Sequence, residues 1–174
     1  SSGRALICGE PAGSAGARAA IGYLPENPSL PSRCTVREFV ELTARMSGHG
    51  RASRELAAMW LERLDLASLA SRPGAKLSKG QTQLTALAAA VVGSPPLLIL
   101  DEPMSGLDPV ARKRVRDLLI EARESGATIF LSSHVLSDME LLCDRVGLVR
   151  GGRMVGIHTL DHIRETGTVE VELG

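Results

Sequence analysis

Lysine is scarce in this chain: among its 20 basic residues only Lys76, Lys79 and Lys113 are lysines. They follow Ala75, Ser78 and Arg112, never glycine. The loop G-x-x-x-x-G-K-[ST], whose backbone nest and lysine hold the β- and γ-phosphates of a nucleotide, is therefore absent from the 174 residues. Aromatic residues are also few, at 2%. Trp60 and Met59, at helical spacing, accordingly read as packing residues of a small core and not as a ligand box. Three cysteines, Cys8, Cys34 and Cys143, lie far apart with no C-x-x-C spacing. That excludes a disulfide framework and a zinc site and fits a reducing compartment; Cys8 and Cys143, in apolar surroundings, read as small core residues. Net charge is zero, so nothing draws the chain to nucleic acid or to an anionic membrane. The opening Ser1-Ser2-Gly3-Arg4 lacks a secretory layout. The longest weakly polar run, Leu84 to Leu100, is broken by Gly93-Ser94-Pro95-Pro96, so it reads as helix, turn and strand instead of a membrane span.

What is present is an ordinary globular balance, 44% hydrophobic and 23% charged over 174 residues. This suffices for one domain, or a compact core with a small subdomain. The stretch Leu97-Leu-Ile-Leu-Asp-Glu-Pro-Met-Ser-Gly-Leu-Asp108 organises the rest. Four aliphatic residues read as a strand buried on both faces, as in a parallel sheet, and Asp101 and Glu102 emerge at its carboxyl end, where α/β sheets place ligands. Two adjacent carboxylates there suit a cation or a reacting water, although a solvated acidic turn is the plainer reading of the pair alone.

In chain order, Arg4–Cys8 reads as a strand, residues 9–16 as a small-residue loop, and Ile21–Leu24 as a strand stopped by Pro25-Glu26-Asn27-Pro28. Thr35 with Glu38 forms a capping-box pattern for a helix presenting Val36, Phe39, Val40 and Thr43. A second helix over Ser53–Leu64 would present Leu56, Met59, Trp60 and Arg63 or Leu64. Ser78 caps an alanine-rich helix running to Val92, with Gly80 permitting close approach at its first turn, a geometry suited to phosphate. Asp108-Pro109 begins a helix with Ala111, Val115, Leu118, Leu119 and Ala122 on one face, ended by Gly126. Strand Thr128–Ser132, if parallel to the first, delivers Ser133 and His134 to the edge that carries Asp101 and Glu102. A helix near Leu136–Cys143 precedes a hairpin, Val146–Val149 and Met154–Ile157, turned at Gly151-Gly152. A short helix at Asp161–Glu165 and a strand at Val169–Leu173 follow. His49, His158 and His162 carry no assigned role.

With these pieces in place the chain resembles the ATP-binding cassette ATPases, the nucleotide-binding subunits of ABC transporters, of exporter type. Leu77-Ser78-Lys79-Gly80-Gln81 resembles the signature motif, with lysine where glycine is usual; Leu97–Asp101 is similar to Walker B, and Glu102 to the catalytic glutamate. Ser105-Gly106-Leu107-Asp108 resembles the D-loop, His134 the switch histidine, and Tyr23-Leu24-Pro25-Glu26 the Q-loop region, with Glu26 for the usual glutamine. Five motifs in collinear order make a strong match. The resemblance implies an α/β, P-loop NTPase-like fold: a mostly parallel sheet flanked by helices, with a helical subdomain over about 33–93, a Walker B to switch-histidine core over 94–157, and the start of a C-terminal extension over 158–174.

The same resemblance implies ATP and Mg²⁺ as ligands and hydrolysis coupled to transport. Asp101 and Glu26 would serve the metal, Glu26 also standing among the nucleotide-binding residues and relaying the state of the site toward the membrane partner, and Glu102 would polarise the attacking water. His134 would contact the γ-phosphate. Ser78, Gly80 and Gln81, with Asp108, would meet nucleotide across a head-to-tail dimer with a second ATP-binding subunit. A membrane-spanning permease would be the other partner, nucleic acid none, and the location the cytoplasmic face of the membrane. The missing lysine loop implies that the N-terminal strand and P-loop helix are lost from a truncated form, leaving an apolar sheet surface exposed and stability weak. Leu84, Thr85 and Ala89 also stand where the family usually has arginine, leucine and arginine. Two readings stay open: an ATP-hydrolysing transporter subunit lacking Walker A, or a non-hydrolytic partner that donates only its signature motif to an intact cassette.

Overall fold

The structure is a computed structural model that describes residues 3–160. The expected helix at Asp161–Glu165 and strand at Val169–Leu173 lie outside those residues. The chain divides into two units between Ser132 and Ser133.

The first unit holds a parallel sheet in the order β3, β4, β5, formed by Ile21–Leu24, Leu97–Asp101 and Thr128–Ser132. Parallel neighbours cannot be joined by a tight turn, so each connection must leave the sheet and return. Between β3 and β4 run α2 (Val36–Met46), α3 (Ser53–Arg63) and α4 (Lys79–Val91); between β4 and β5 runs α5 (Pro109–Glu124). The register sets Leu24 beside Leu100 and Asp101 beside Ser132, so the strands end together.

Helices α2, α4 and α5 each begin where a side chain satisfies free N–H groups. Thr35 Oγ1 accepts from the Glu38 N–H while Glu38 accepts from the Thr35 N–H at 2.8 Å, the expected capping box. Ser78 and Gln81 form a second box on α4, and Asp108 Oδ1 accepts from Val110 and Ala111, both at 2.9 Å, on α5. Gly126, at φ +97°, ends the segment after α5 as expected.

Helix α4 carries the core. Every residue from Gln83 to Val92 is buried. It lies so close to β3 that a Cβ on Gly22 would fall 2.1 Å from the Ala90 carbonyl oxygen. Thr85, a hydroxyl on this packing face, is accommodated by donating to the Gln81 carbonyl at 2.7 Å. Leu84 and Ala89 are likewise buried, so apolar residues match their surroundings there.

Several expectations are corrected. The 9–16 loop contains β2 (Glu10–Pro11), paired antiparallel with β1 (Leu6–Ile7), and leads into α1 (Ala15–Ala19), capped by Ser14. A serine cap among alanines and glycines carries too little pattern to separate helix from loop. Cys8 is exposed, at φ +50° in the β1–β2 turn, and is no core residue. In α3 the buried face is Ser53, Ala57, Trp60 and Leu61, continuing to Leu64; Met59 is exposed. Strand β4 is buried on one face: Leu98 and Leu100 are covered by the core, while Leu97 and Ile99 are half-buried. On that second face Tyr23, Ile99 and Phe130 lie in one row across the strands, with Tyr23 59% and Phe130 69% exposed. This is the exposed apolar sheet surface expected from the sequence.

The second unit contains α6 (Leu136–Leu142) and an antiparallel hairpin, β6 (Arg145–Arg150) and β7 (Arg153–Thr159), turned at Gly151-Gly152 with both glycines at positive φ. Val146 and Leu160 are buried. Among the described residues no helix is long and apolar enough to cross a membrane.

Two stability predictions follow from this packing. Gly22→Ala forces a side chain against backbone and should cost about 3 kcal/mol, read as a lowered denaturant midpoint. Thr35→Ala should cost about 1 kcal/mol at neutral pH. Hydrogen bonds from the Thr35 backbone and hydroxyl hold the Glu38 pKa below the usual carboxylate value. The folded state thus takes up that proton at lower pH than the unfolded chain, so the carboxylate's part of the cap contributes fully above the ordinary carboxylate range and is lost as pH falls through the lowered value. The difference between wild type and Thr35→Ala should shrink over that window in acid unfolding curves.

Candidate functional site

Three parallel strands in step bring their carboxyl ends to one edge, and the polar residues of that edge form the candidate site. Asp101 ends β4 and Ser132 ends β5 in direct register. The Ser132 hydroxyl donates to Asp101 Oδ1 in a short hydrogen bond and accepts from the Glu102 N–H at 3.1 Å. Glu102 has φ +48°, a left-handed conformation that is uncommon for a residue with a side chain. Its carbonyl accepts from the Ser105 N–H at 3.0 Å and from Gln83 Nε2 at 3.1 Å. Asp101 and Glu102 are half-buried, and Glu26 is exposed in the turn two residues after β3 ends at Leu24.

The first turn of α4 lies against the segment that follows Glu102. A Cβ on Gly80 would sit 3.1 Å from the Gly106 carbonyl oxygen, so this glycine admits close approach by the chain's own backbone. The Lys79 stem also lies against Gly106, 3.3 Å from a Cβ placed there. Ser78 Oγ accepts from the Gln81 N–H at 3.3 Å, and Gln81 Oε1 accepts from the Ser78 N–H at 3.0 Å. The Asp108 carboxylate is occupied in capping α5. His134 is exposed and belongs to the second unit, in which Ser133 Oγ accepts from the Val135 N–H at 3.1 Å.

The Asp101 carboxylate, steadied by the Ser132 hydroxyl, offers hard oxygen donors, which suit Mg²⁺ better than a soft metal. Among the described residues no group of three or more His, Cys, Asp or Glu side chains is arranged as a metal cage.

Two hollows lie along the first unit. A groove of about 360 Å³ lies beside β3 and the turn after it, lined by Tyr23, Pro25, Asn27, Pro28, Phe39 and Thr43 among others. A cavity of about 460 Å³ opens at the starts of β4 and β5, lined by Trp60, Leu98, Leu118 and Glu121 among others. The second lies at the opposite end of the strands from the carboxylates, away from the edge where α/β sheets bind ligands.

Sequence reasoning missed Ser132 and Gln83. The signal for Gln83 was an amide set in an otherwise small and apolar helical stretch. For Ser132 it was a hydroxyl as the last residue of a strand parallel to β4, where register sets it opposite Asp101.

Known proteins resemble this chain along most of its length. The family model described as ABC transporter matches residues 1–105. An uncharacterised ABC transporter ATP-binding protein of Nostoc sp. strain PCC 7120 is 36% identical over 166 residues, covering 94% of this chain and 50% of the relative. A Synechocystis protein of the same description is 36% identical over 160 residues, covering 89% and 45%. The chain thus spans about half the length of these curated relatives. A solved ATP-binding subunit of an ABC transporter superposes with TM-score 0.82 at 34% identity, over 91% of this chain and 68% of that one. An ATP-binding cassette solved as a dimer in a post-hydrolysis state with ADP and Pi superposes with TM-score 0.76 at 25% identity, covering 83% and 64%. The α/β sheet with its flanking helices, the acidic strand tip and these likenesses together establish that the chain belongs to the ABC transporter ATP-binding family.

Proposed function

We propose that this chain serves ATP hydrolysis coupled to transport through a membrane permease, at the cytoplasmic face of the membrane. The observation that carries the reading is the pair Asp101 and Glu102 at the carboxyl edge of the parallel sheet, with Glu102 turned out of the strand by its left-handed backbone. Phosphoryl transfer to water needs little covalent chemistry from a protein and much positioning. The Glu102 carboxylate would orient the attacking water and take its proton as the bond from the γ-phosphorus to the bridging oxygen breaks and ADP leaves. Asp101, with Glu26, would hold Mg²⁺. When bound, the ion neutralises charge on the β- and γ-phosphates. His134 would contact the γ-phosphate. In a head-to-tail pair with a second ATP-binding subunit, Ser78, Gly80 and Gln81, at the start of a helix capped and 13 residues long, would meet the partner's nucleotide, and Asp108 would lie beside it. The stretch 33–93 would act as the helical subdomain bearing this turn. The groove between the Glu26 segment and α2 would receive the permease, since it is concave and has apolar residues, Tyr23 and Phe39, beside proline-fixed backbone.

One fact favours a second reading. The 174 residues contain no lysine loop, so the phosphates that Asp101 and Glu102 would serve must be cradled by residues outside these 174, or the chain acts only as donor of its Ser78 turn to an intact cassette.

Two measurements separate these readings. The 174-residue chain alone should show no tight Mg·ATP binding by equilibrium dialysis; tight binding abolished by Asp101→Asn would mean that a phosphate cradle exists within it. Mixed with an intact cassette, Ser78→Arg in this chain should lower the partner's turnover about tenfold or more, by replacing a small helix cap with a bulky cation. Unchanged turnover would eliminate the donor role.

A further inference from the structure

Glu102 is held by its backbone on both sides. Its N–H donates to Ser132 Oγ at 3.1 Å, and its carbonyl accepts from Gln83 Nε2 at 3.1 Å and from the Ser105 N–H at 3.0 Å. The conformation so held, φ +48°, is one that residues with a Cβ avoid, and such backbone persists only where its surroundings over-determine it. Of the three donors and acceptors, the Ser105 N–H belongs to the local turn. The other two are side chains from distant elements, β5 and α4.

Gln83 is an unusual residue for its place. It is fully buried on α4, and its Oε1 has no hydrogen-bond partner. A buried amide with an unpaired oxygen is destabilising relative to an apolar side chain of the same length. Its Nε2 has one described bond, to the Glu102 carbonyl. The amide orientation follows: turned over, Oε1 would face another carbonyl oxygen. What the amide provides beyond the volume it fills is therefore a bond to the strand tip.

We infer that Gln83 and Ser132 are positioning residues that lock Glu102 in its left-handed conformation and so aim its carboxylate, with Gln83 linking that aim to helix α4. The inference rests on the hydrolytic role proposed for Glu102. Gln83 lies two residues beyond Gln81, and the same first turn touches the segment after Glu102 where Gly80 admits the Gly106 carbonyl. Helix α4 thus grips the 102–106 segment at two points. A displacement of its first turn, the part that would meet nucleotide on a partner subunit, would strain the bond to the Glu102 carbonyl. Water activation in one subunit would in this way depend on seating of the signature turn of the same chain.

The test uses the complete gene product, with steady-state ATP turnover and binding of a fluorescent ATP analogue measured for Gln83→Met, Ser132→Ala, Ser132→Thr and Glu102→Gln. Met keeps length but cannot donate, and Ser132, an exposed residue, can lose its hydroxyl without emptying the core. Gln83→Met and Ser132→Ala should each lower kcat about tenfold or more, because small misplacements of a reacting group are expensive in rate. KM and analogue affinity should stay within about twofold, as befits an interaction that matters at the transition state. Ser132→Thr, which keeps the hydroxyl, should retain the wild-type kcat. The Mg²⁺ dependence of the rate should be unchanged in Gln83→Met, which separates aim from metal binding through Asp101. If Glu102→Gln abolishes turnover while Ser132→Ala leaves kcat intact, the positioning role is wrong and the hydrolytic reading survives, whether or not Gln83→Met folds. If Glu102→Gln leaves turnover unchanged, or the complete product has none to lose, the hydrolytic reading falls and this inference with it.

Discussion

The close seating of α4 on the sheet is the contact on which the rest depends. Gly22 has no side chain to hold the helix away, and Ala86, Ala88, Ala89 and Ala90 are all buried, so helix backbone and strand backbone approach within a single shell of atoms. Dispersion between so many close atoms is individually small and collectively large, and it falls steeply with any gap. The same seating sets the start of α4. Its first turn arrives beside Gly106, and Gln83 arrives beneath Glu102. Core packing and the geometry of the acidic tip are consequences of one interface.

At the tip itself, the strand supplies direction and the neighbours supply restraint. An unconstrained acidic turn would place two adjacent carboxylates wherever solvent best separates them. Here Ser132 joins both: its hydroxyl donates to the Asp101 side chain and accepts from the Glu102 backbone. The parallel register of β4 and β5 makes this possible, because it brings Ser132 level with Asp101. The opposite face of the sheet is less well covered. The row Tyr23, Ile99 and Phe130 leaves two aromatic rings largely in solvent, an apolar surface of the kind that marks an interaction site or a liability to association.

Much of this was legible in the linear chain because local chemistry dominates there. Thr35 with Glu38, Ser78 before an alanine run, and Asp108-Pro109 each supply an acceptor where the backbone N–H groups of a helix lack partners, so the starts of α2, α4 and α5 were readable to the residue. The apolar runs at Leu97 and Thr128 identified two strands, and Gly151-Gly152 identified the hairpin turn. Where the pattern was weak it misled. The β1–β2 hairpin and α1 are too short and too rich in small residues to show a period, the buried face of α3 is offset from the expected one toward Ala57 and Leu61, and Cys8 takes a turn position that its apolar neighbours concealed.

By itself, then, the sequence determined the elements from β3 onward among the described residues, their order, the family resemblance, and the presence of Asp101-Glu102 at a strand end, because caps, periods and motifs act over a few residues. Only the tertiary structure decided which side chains hold that end in place. Gln83 and Ser132 reach Glu102 from 19 and 30 positions away, across a helix seat and a strand register that no local pattern encodes. It also decided that β4 is covered on one face only, since burial is a property of what packs above a strand and not of the strand's own residues.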